Sequence, residues 1–350
     1  MIKKILKLVG ELGIFIILFL LTLLISFSYY KSLFSTALDK NSKEEKTILI
    51  EKGSNLKTVS VLLEKEGIIK SWRSVYYLYS LSSKLQDKSE ELVIIPGEYN
   101  FSPSNTPVQI LSKLNKHEVL ARQITIPEGK NANEIGKILI SAGLITTEDF
   151  IKTVNDISLI IKLGIPGDKF EGYLFPLTYS FTKPITASEI FSIMVKEGNK
   201  KIETEIPSFV ERSTELGLDP YQVITLASII EKETGVAEER AVISSVFHNR
   251  LKIDMPLQTD PTVIYGIKNF NGNLTKEDLK TATPYNTYLK TGLPPTPIAN
   301  PGIDAIKAAL YPEKTEYLYF VAKGDGSHQF SKNYRDHQLA VNKYQKKNNN

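Results

Sequence analysis

Residues 218–235 read LDPYQVITLASIIEKETG, and this stretch predicts one short helix around which the last part of the chain is organised. Asp219 is a good N-cap because its carboxylate can accept hydrogen bonds from the free amides of the first helical turn. Pro220 suits the first helical position, where no backbone hydrogen bond is lost. Gly235 suits the position that follows the last turn, so we expect the helix to end there.

An acidic residue lies within the apolar side of this predicted helix. At about 100° per residue, one arc of the helix collects five apolar side chains: Leu226, Ile230, Val223, Ala227 and Ile224. Glu231 projects inside this arc, Glu233 lies at its edge and Lys232 points to the polar side. Burial raises the pKa of a carboxyl group, so Glu231 is a candidate to hold a proton near neutral pH and donate it. The alternative is a structural ion pair with Arg240 or Arg250 at the helix end.

The N-terminal segment predicts a membrane anchor. Residues 12–30 are almost continuously apolar and are about long enough to cross the hydrocarbon core of a bilayer. Lys3, Lys4 and Lys7 precede this run, and the positive-inside tendency predicts a cytoplasmic N-terminus at residues 1–11. We therefore expect a transmembrane helix at 12–30 and the rest of the chain on the far side. The alternative is a cleaved signal peptide, but the run is long for one and no Ala-x-Ala-like site follows it.

Length and composition narrow the class of protein. At 350 residues the chain is long enough for two or three domains, each with its own core. It has no cysteine, so its domains outside the cytoplasm are held together by core burial without disulfides. The net charge of +4 is too close to neutral to indicate a nucleic-acid partner. No His-Glu-x-x-His motif is present, so neither a metal site nor another cofactor is expected.

A polar tether at residues 31–46 leads into two similar segments. Residues 48–55 (ILIEKGSN) and 124–131 (ITIPEGKN) each read as a short alternating strand that ends in a glycine turn. The match continues into the helices, where Leu63 corresponds to Leu139, Gly67 to Gly143 and Ile69 to Ile145. We therefore predict a duplicated strand, helix, helix, strand unit, as α+β modules at 47–121 and 122–200. The first copy resembles a LysM-like glycan-binding module; a plain spacer domain is the alternative.

Loops rich in Pro, Gly, Asn and Thr dominate the chain after a second amphipathic helix predicted at 236–252; they cover 255–262, 282–288 and 292–302. Proline restricts loop conformations, so these segments can present side chains rigidly, and rigid loops beside a buried acid indicate a cleft. Their polar and aromatic side chains suit the hydroxyls, acetamides and ring faces of a sugar chain: Gln258, Tyr285, Asn286, Tyr288 and Asn300. The alternative is that these are ordinary turn-forming residues.

Several motifs in the same order resemble one protein family. They are LASIIEKET at 226–234, LQTDPTVIYG at 257–266, YNTY at 285–288, GLPP at 292–295, and LYFV at 318–321 followed by His328-Gln329-Phe330. Over its whole layout the chain is similar to the endolytic murein transglycosylases of the MltG/YceG family. The resemblance implies cleavage within peptidoglycan strands between N-acetylmuramic acid and N-acetylglucosamine, which leaves a 1,6-anhydro end. It also implies that Glu231 is the catalytic glutamate.

The implied reaction needs only one carboxylate. Hydrolytic glycosidases use two, whereas in a lytic reaction the tethered 6-hydroxyl of the substrate is the nucleophile. Glu231 would protonate the leaving oxygen and then take the proton of that hydroxyl. Asp260 is the nearest motif acid that could make the site a two-carboxylate hydrolase, but its place between Thr259 and Pro261 favours a turn-forming role. His328 is expected in a hairpin loop, where it contacts substrate or caps the turn.

We therefore expect an α+β protein with a single N-terminal transmembrane helix, a LysM-like module, a second module, and a mixed α+β catalytic domain at 201–345 with Pro/Gly-rich loops. Residues 346–350 are expected to be a polar tail. The substrate-binding candidates are Gln258, Asp260, Tyr285, Asn286, Asn300 and His328. Expected partners are peptidoglycan glycan strands, peptidoglycan synthases and the cell membrane, with the catalytic domain extracytoplasmic. A non-catalytic peptidoglycan-binding scaffold and a hydrolytic muramidase are the alternative functions.

Overall fold

The structure is a computed structural model that describes residues 2–85 and 92–345. The predicted polar tail at 346–350 lies outside the described residues. The chain divides into two compact units, of which the first comprises Met1–Arg122 with Phe181–Pro184 and the second comprises Gln123–Ser180 with Ile185–Asn350. Helices and three small two-stranded sheets build both units, so the predicted α+β class is confirmed.

The chain begins with one long helix, α1 (Ile2–Ser35). Most large apolar side chains between Ile14 and Tyr29 are exposed on its surface. Across the described residues, however, no helix has both the length and the apolar character that crossing a membrane requires. The structure therefore does not confirm the transmembrane helix predicted at residues 12–30.

The first unit folds around a two-stranded antiparallel sheet. Its elements are β1 (Lys46–Ile50), α2 (Leu56–Lys65), α3 (Trp72–Leu85), β2 (Gly97–Phe101) and α4 (Pro107–Asn115). Asn55 starts α2 because its side chain accepts from the Thr58 N–H. Ile48 pairs with Tyr99 across the strands, and the apolar faces of the helices cover the sheet. The order strand, helix, helix, strand is the one that the sequence repeat predicts.

The second copy of the repeat has the same order with one addition. Its elements are β3 (Ala121–Thr125), α5 (Ala132–Ser141), α6 (Thr147–Val154), α7 (Ile157–Lys162) and β4 (Thr178–Thr182), followed by α8 (Ala187–Glu205). Strands β3 and β4 form a second two-stranded sheet. The additional short helix α7 explains why the spacing slips between the two copies. Most of this module belongs to the same compact unit as residues 185–350, although separate domains were predicted at 122–200 and 201–345.

The rest of the second unit is mainly helical. Its elements are α9 (Phe209–Glu215), α10 (Pro220–Glu233), α11 (Arg240–Lys252), α12 (Asp260–Gly266), α13 (Ile303–Leu310), β5 (Tyr319–Ala322), β6 (His328–Ser331) and α14 (Tyr334–Tyr344). Strands β5 and β6 form an antiparallel hairpin, and His328 is the first residue of β6. Long segments without helix or strand lie between α12 and α13, where the sequence is rich in proline and glycine.

Helix α10 is the predicted central helix, and its capping is as predicted. The Asp219 carboxylate accepts from the Gln222 N–H, and Pro220 is the first helical residue. Every residue from 223 to 230 is buried, including Thr225 on the side predicted to be polar. Because α11 and α13 pack against α10 within a continuous core, the helix is enclosed rather than amphipathic along its middle. Both ends of the helix reach polar surroundings, and the C-terminal end carries Glu231.

Candidate active site

The Glu231 carboxyl lies at the C-terminal end of α10 with only 6% of its side chain exposed. Its Oε2 accepts a hydrogen bond of 2.9 Å from the Gly302 N–H. Its Oε1 lies 3.6 Å from Nη2 of Arg240. Burial is the main cause that raises the pKa of Glu231, and the charges of Glu128 and Asp304 raise it further. The Gly302 N–H and the Arg240 charge act in the opposite direction.

Arg240, at the start of α11, is surrounded by three carboxyl groups. Besides Glu231, its guanidinium lies 3.8 Å from Glu128 Oε2 and 3.7 Å from Asp304 Oδ2. Its buried Nε has no hydrogen-bond partner among the described residues. One cation therefore faces three acids, and the local charge favours a protonated Glu231. Glu231 is therefore buried, as the helical period predicts. It also lies next to Arg240, the ion pair that was considered as the alternative to a catalytic role.

The turn that follows β3 covers the end of α10. Gly129 in this turn has φ +71°, and a Cβ built on it would lie 3.5 Å from Glu231 Cγ. Lys232 Nζ donates to the Gly129 carbonyl at 3.3 Å, which holds the turn in place. At Gly302, any Cβ would collide with the Glu128 carboxyl group. The second copy of the repeat thus supplies part of the surroundings of Glu231.

Asn300 fixes the loop that leads to Gly302. Its side chain is fully buried, and Nδ2 donates to the Lys130 carbonyl at 2.9 Å and to Glu171 Oε1 at 3.0 Å. Its Oδ1 accepts from the Leu174 N–H at 2.8 Å. Its backbone also pairs with Lys130 and with Gly129. Asn300 was predicted to bind substrate, but the structure places its amide in contacts inside the protein.

Glu171 is a buried acid that the sequence analysis missed. Its carboxyl accepts from the Ala132 N–H at 3.1 Å, from Asn300 Nδ2 and from the Tyr265 hydroxyl at 3.1 Å. Burial is the main cause that raises the pKa of Glu171 to about 7, against the lowering effect of Tyr265 and Ala132. The sequence carried no clear signal for this acid, because glutamate is rarely buried unless it is paired.

Glu233, the second acid of α10, is influenced by other charged groups than Glu231 is, namely Asp260 and Arg250. Burial is the main cause that raises its pKa to about 8; the Asp260 charge raises it further and Arg250 lowers it. Asp260 accepts a hydrogen bond of 2.7 Å from the Tyr288 hydroxyl. Arg250 donates to backbone carbonyls, among them Leu257 at 2.7 Å. The helical wheel placed Glu233 at the edge of the apolar arc, so this strong desolvation was not predicted.

The other substrate-binding candidates differ in how accessible they are. Gln258 and Asp260 are exposed, whereas Asn286 is fully buried and donates to the carbonyls of Leu279 and Thr281. The half-buried Tyr285 hydroxyl accepts from Lys169 Nζ at 3.0 Å. Gln258 and Asp260 therefore remain open to a ligand, and the Asn286 amide is used within its own loop.

His328 pairs with Glu239, which precedes Arg240. Its Nδ1 lies 2.6 Å from Glu239 Oε2, and its backbone N–H donates to Glu239 Oε1 at 2.8 Å. Both side chains are mostly buried. This pair ties the β5–β6 hairpin to the turn that directly precedes Arg240. In the part of the chain that the structure describes, no group of three or more acidic or histidine side chains could hold a metal ion.

Comparison with known proteins agrees with the resemblance seen in the sequence. The model of the YceG-like family matches residues 48–343. An endolytic murein transglycosylase of Bacillus subtilis (strain 168) is 35% identical over an alignment of 337 positions, which covers 91% of this chain and 90% of the relative. A protein of that name from Streptococcus pneumoniae is 29% identical and aligns over 87% of this chain, but over only 59% of its own length.

A crystal structure at 2.6 Å of a YceG-like protein from Listeria monocytogenes has a similar fold, with a TM-score of 0.58 and 33% identity. The match covers 85% of this chain and 99% of that chain. The family model, the relatives and the fold lead to the same assignment. The chain belongs to the YceG-like family.

Proposed function

We propose that this chain is an endolytic murein transglycosylase that cleaves peptidoglycan strands internally, between N-acetylmuramic acid and N-acetylglucosamine, and leaves 1,6-anhydro ends. The names of its relatives support the activity and the substrate. The observation that carries the mechanism is Glu231: a nearly buried carboxyl with a raised pKa, in hydrogen-bond contact with a single backbone donor. Such a group is suited to general acid catalysis near neutral pH.

In the first step, Glu231 donates its proton to the glycosidic oxygen while the bond from that oxygen to the muramic acid C1 breaks. The negative charge that develops on Glu231 is stabilised by the Gly302 N–H and by the nearby Arg240 guanidinium. Both groups are already in place, so the loss of the proton requires little rearrangement. The same two groups keep the pKa of Glu231 from rising as far as burial alone would raise it.

In the second step, the ionised Glu231 takes the proton of the 6-hydroxyl of the same muramic acid, whose oxygen bonds to C1. The tethered hydroxyl has a high effective concentration, so no enzyme group has to activate water. Asp260 is the acid that could act as a second carboxylate. It accepts a hydrogen bond from the Tyr288 hydroxyl, and its charge raises the pKa of Glu233. This arrangement supports a lytic reaction at Glu231 over a two-carboxylate hydrolysis.

The first unit is proposed to bind glycan as a LysM-like module. A groove of about 510 Å³ lies between the turn after β1 and helix α3. Polar and aromatic side chains line it, among them Asn55, Lys57, Tyr76 and Tyr79. Sugar sites combine such hydrogen-bonding groups with ring faces, which supports the proposal.

Anchoring in the cell membrane, with the catalytic unit outside the cytoplasm and close to peptidoglycan synthases, is also a proposal. The apolar run at residues 12–30, the three lysines before it and the exposed apolar side chains of α1 support it. In this arrangement the enzyme would act on nascent strands near the membrane surface.

Product analysis tests the proposed reaction. The full-length protein is incubated with uncross-linked glycan strands in water enriched in ¹⁸O, and the products are examined by mass spectrometry. We expect internal cleavage, anhydro ends and no incorporated ¹⁸O. Labelled reducing ends would identify a muramidase instead. Binding of the strands without any cleavage would identify a scaffold.

A further inference from the structure

We propose that Glu128 is a second catalytic carboxylate, which faces the muramic acid ring and stabilises the positive charge that develops there, without forming a bond to it. The inference rests on the proposed function, because it assigns a role within that reaction. It goes beyond the one-carboxylate mechanism, in which Glu231 alone supplies the chemistry. The sequence analysis did not select Glu128, which lies 103 residues before Glu231 in the chain.

The first support is position. Oε2 of Glu128 and Oε1 of Glu231 lie 3.8 and 3.6 Å from the same nitrogen, Nη2 of Arg240. Asp304, the third acid of the cluster, lies beside the other terminal nitrogen, Nη1. The backbone next to Glu128 is also fixed, because the Gly129 N–H donates to the Asn300 carbonyl at 3.0 Å and the Gly129 carbonyl accepts from Lys232 Nζ at 3.3 Å. Glu128 and Glu231 therefore both lie next to Nη2 of Arg240, close enough to act on one sugar residue.

The second support is accessibility. The Glu128 side chain is 47% exposed, whereas that of Glu231 is 6% exposed. Among the described residues, no donor forms a hydrogen bond to the Glu128 carboxylate. Glu171 and Glu239 differ, since each accepts hydrogen bonds from protein groups. Glu128 thus keeps both oxygens available to a ligand that lies over Glu231.

The third support is the glycine at position 302. Gly302 has φ −74° and ψ 168°, a backbone conformation that any residue adopts, so its geometry does not require glycine. A Cβ at this position would instead collide with the Glu128 carboxyl. The absent side chain therefore makes room for Glu128 directly beside the N–H that serves Glu231. The three atoms nearest to such a Cβ all belong to the Glu128 side chain.

The chemistry explains what a second carboxylate would do. When the C1–O bond breaks, its electron pair leaves with the glycosidic oxygen, which receives the Glu231 proton. C1 and the ring oxygen then share a positive charge, which a nearby carboxylate stabilises. The 6-hydroxyl oxygen next bonds to C1, and its proton returns to Glu231. Glu128 gains and loses no proton or bond in the cycle.

Three substitutions in the full-length protein test this role, with turnover of glycan strands as the readout. Glu128→Gln removes the charge, and we expect kcat to fall by about 10²-fold, as for the loss of one preorganised electrostatic group, with KM changed by less than about 3-fold. Gly302→Ala keeps the charge but displaces the carboxyl, so kcat should fall in the same way. Glu238→Gln removes an exposed charge close to Arg240 in sequence and is the matched control, with kcat unchanged.

The outcomes separate this inference from the proposed function. If Glu128→Gln or Gly302→Ala turns over as fast as the parent while Glu231→Gln is inactive, the inference is wrong and the proposed function stands. If Glu231→Gln is fully active, the proposed function itself fails. Melting temperatures are measured for all variants. A fall in kcat of Glu128→Gln that disappears at a temperature where the variant is fully folded would also overturn the catalytic role.

Discussion

The backbone N–H of Gly302 donates to Glu231 Oε2 at 2.9 Å and so joins the residue before α13 to the end of α10. This contact gives a nearly buried carboxyl one fixed donor. Burial raises the pKa of Glu231, and the donor limits that rise by stabilising the ionised form. A group balanced in this way can give up a proton and take one back within a single reaction, as the proposed mechanism requires.

The first prediction concerns Glu231→Gln. The amide keeps the size of the side chain but can neither donate nor accept the catalytic proton, so turnover should fall by roughly 10²–10⁴-fold or more. Folding should survive, because a neutral amide is no harder to bury than a protonated acid. Turnover of glycan strands and the melting temperature are measured together.

Glu233→Gln is the matched comparison for this prediction, because both acids lie in the last turn of α10. Burial raises the pKa of Glu233 to about 8, so near pH 7 the amide replaces a mostly protonated acid. Turnover should therefore change far less than in Glu231→Gln. An inactive Glu233→Gln beside a normal Glu231→Gln would show that the acid has been assigned to the wrong residue.

The sequence alone predicted α10, its cap and the placement of Glu231, because those features depend on local propensity and on the helical period. It did not predict the positions of Glu128 and Glu171, which depend on packing between segments that are far apart in the chain. Asn300 was predicted to bind sugar, yet an asparagine amide can equally satisfy carbonyl and carboxyl groups inside a protein, as it does here. Composition cannot distinguish these two uses.

The second prediction concerns the proposed membrane anchor. If residues 12–30 remain attached and cross the bilayer, the full-length protein should sediment with membranes and resist extraction at alkaline pH. A chain that begins at Thr47, after the tether, should be soluble under the same conditions. Release of the full-length protein by alkaline extraction, or a shortened soluble mature form, would contradict the anchor.

The third prediction concerns the pH dependence of stability. Burial raises the pKa of Glu233 from 4.5 to about 8, so between these pH values the folded state binds more protons here than the unfolded state does. The stability that this carboxyl contributes is present in full below about pH 4.5 and is lost as the pH rises through about 8. Glu233→Gln should therefore gain stability relative to the parent as the pH rises.

The free energy of unfolding is measured with urea for parent and variant at several pH values between about 5 and 9. The difference between the two proteins is taken at each pH, so that the contributions of the other titrating groups cancel. Glu238→Gln, at an exposed site, is the control and should show a difference that does not depend on pH. A pH-independent difference for Glu233→Gln would mean that Glu233 is not desolvated in the folded protein.

The last prediction concerns Asn300, which connects the Glu171 carboxyl and the Lys130 carbonyl to the loop that ends at Gly302. Asn300→Ala leaves these buried groups and the Leu174 N–H without their partner, which should cost about 2–4 kcal/mol of unfolding free energy. The freed loop should also hold the Gly302 N–H less firmly against Glu231, so kcat should fall by at least about 10-fold even where the variant is fully folded.

Asn249→Ala is the matched control for this variant. The Asn249 amide also donates to two backbone carbonyls, those of Thr315 and Tyr317, at 2.9 and 3.0 Å. It has no bond to the loop before Gly302 among the described residues, so its loss should lower stability and leave kcat of the folded fraction near the parent value. Equal losses of kcat in the two variants, after correction for the folded fraction, would show that Asn300 contributes to stability alone and does not position the donor to Glu231.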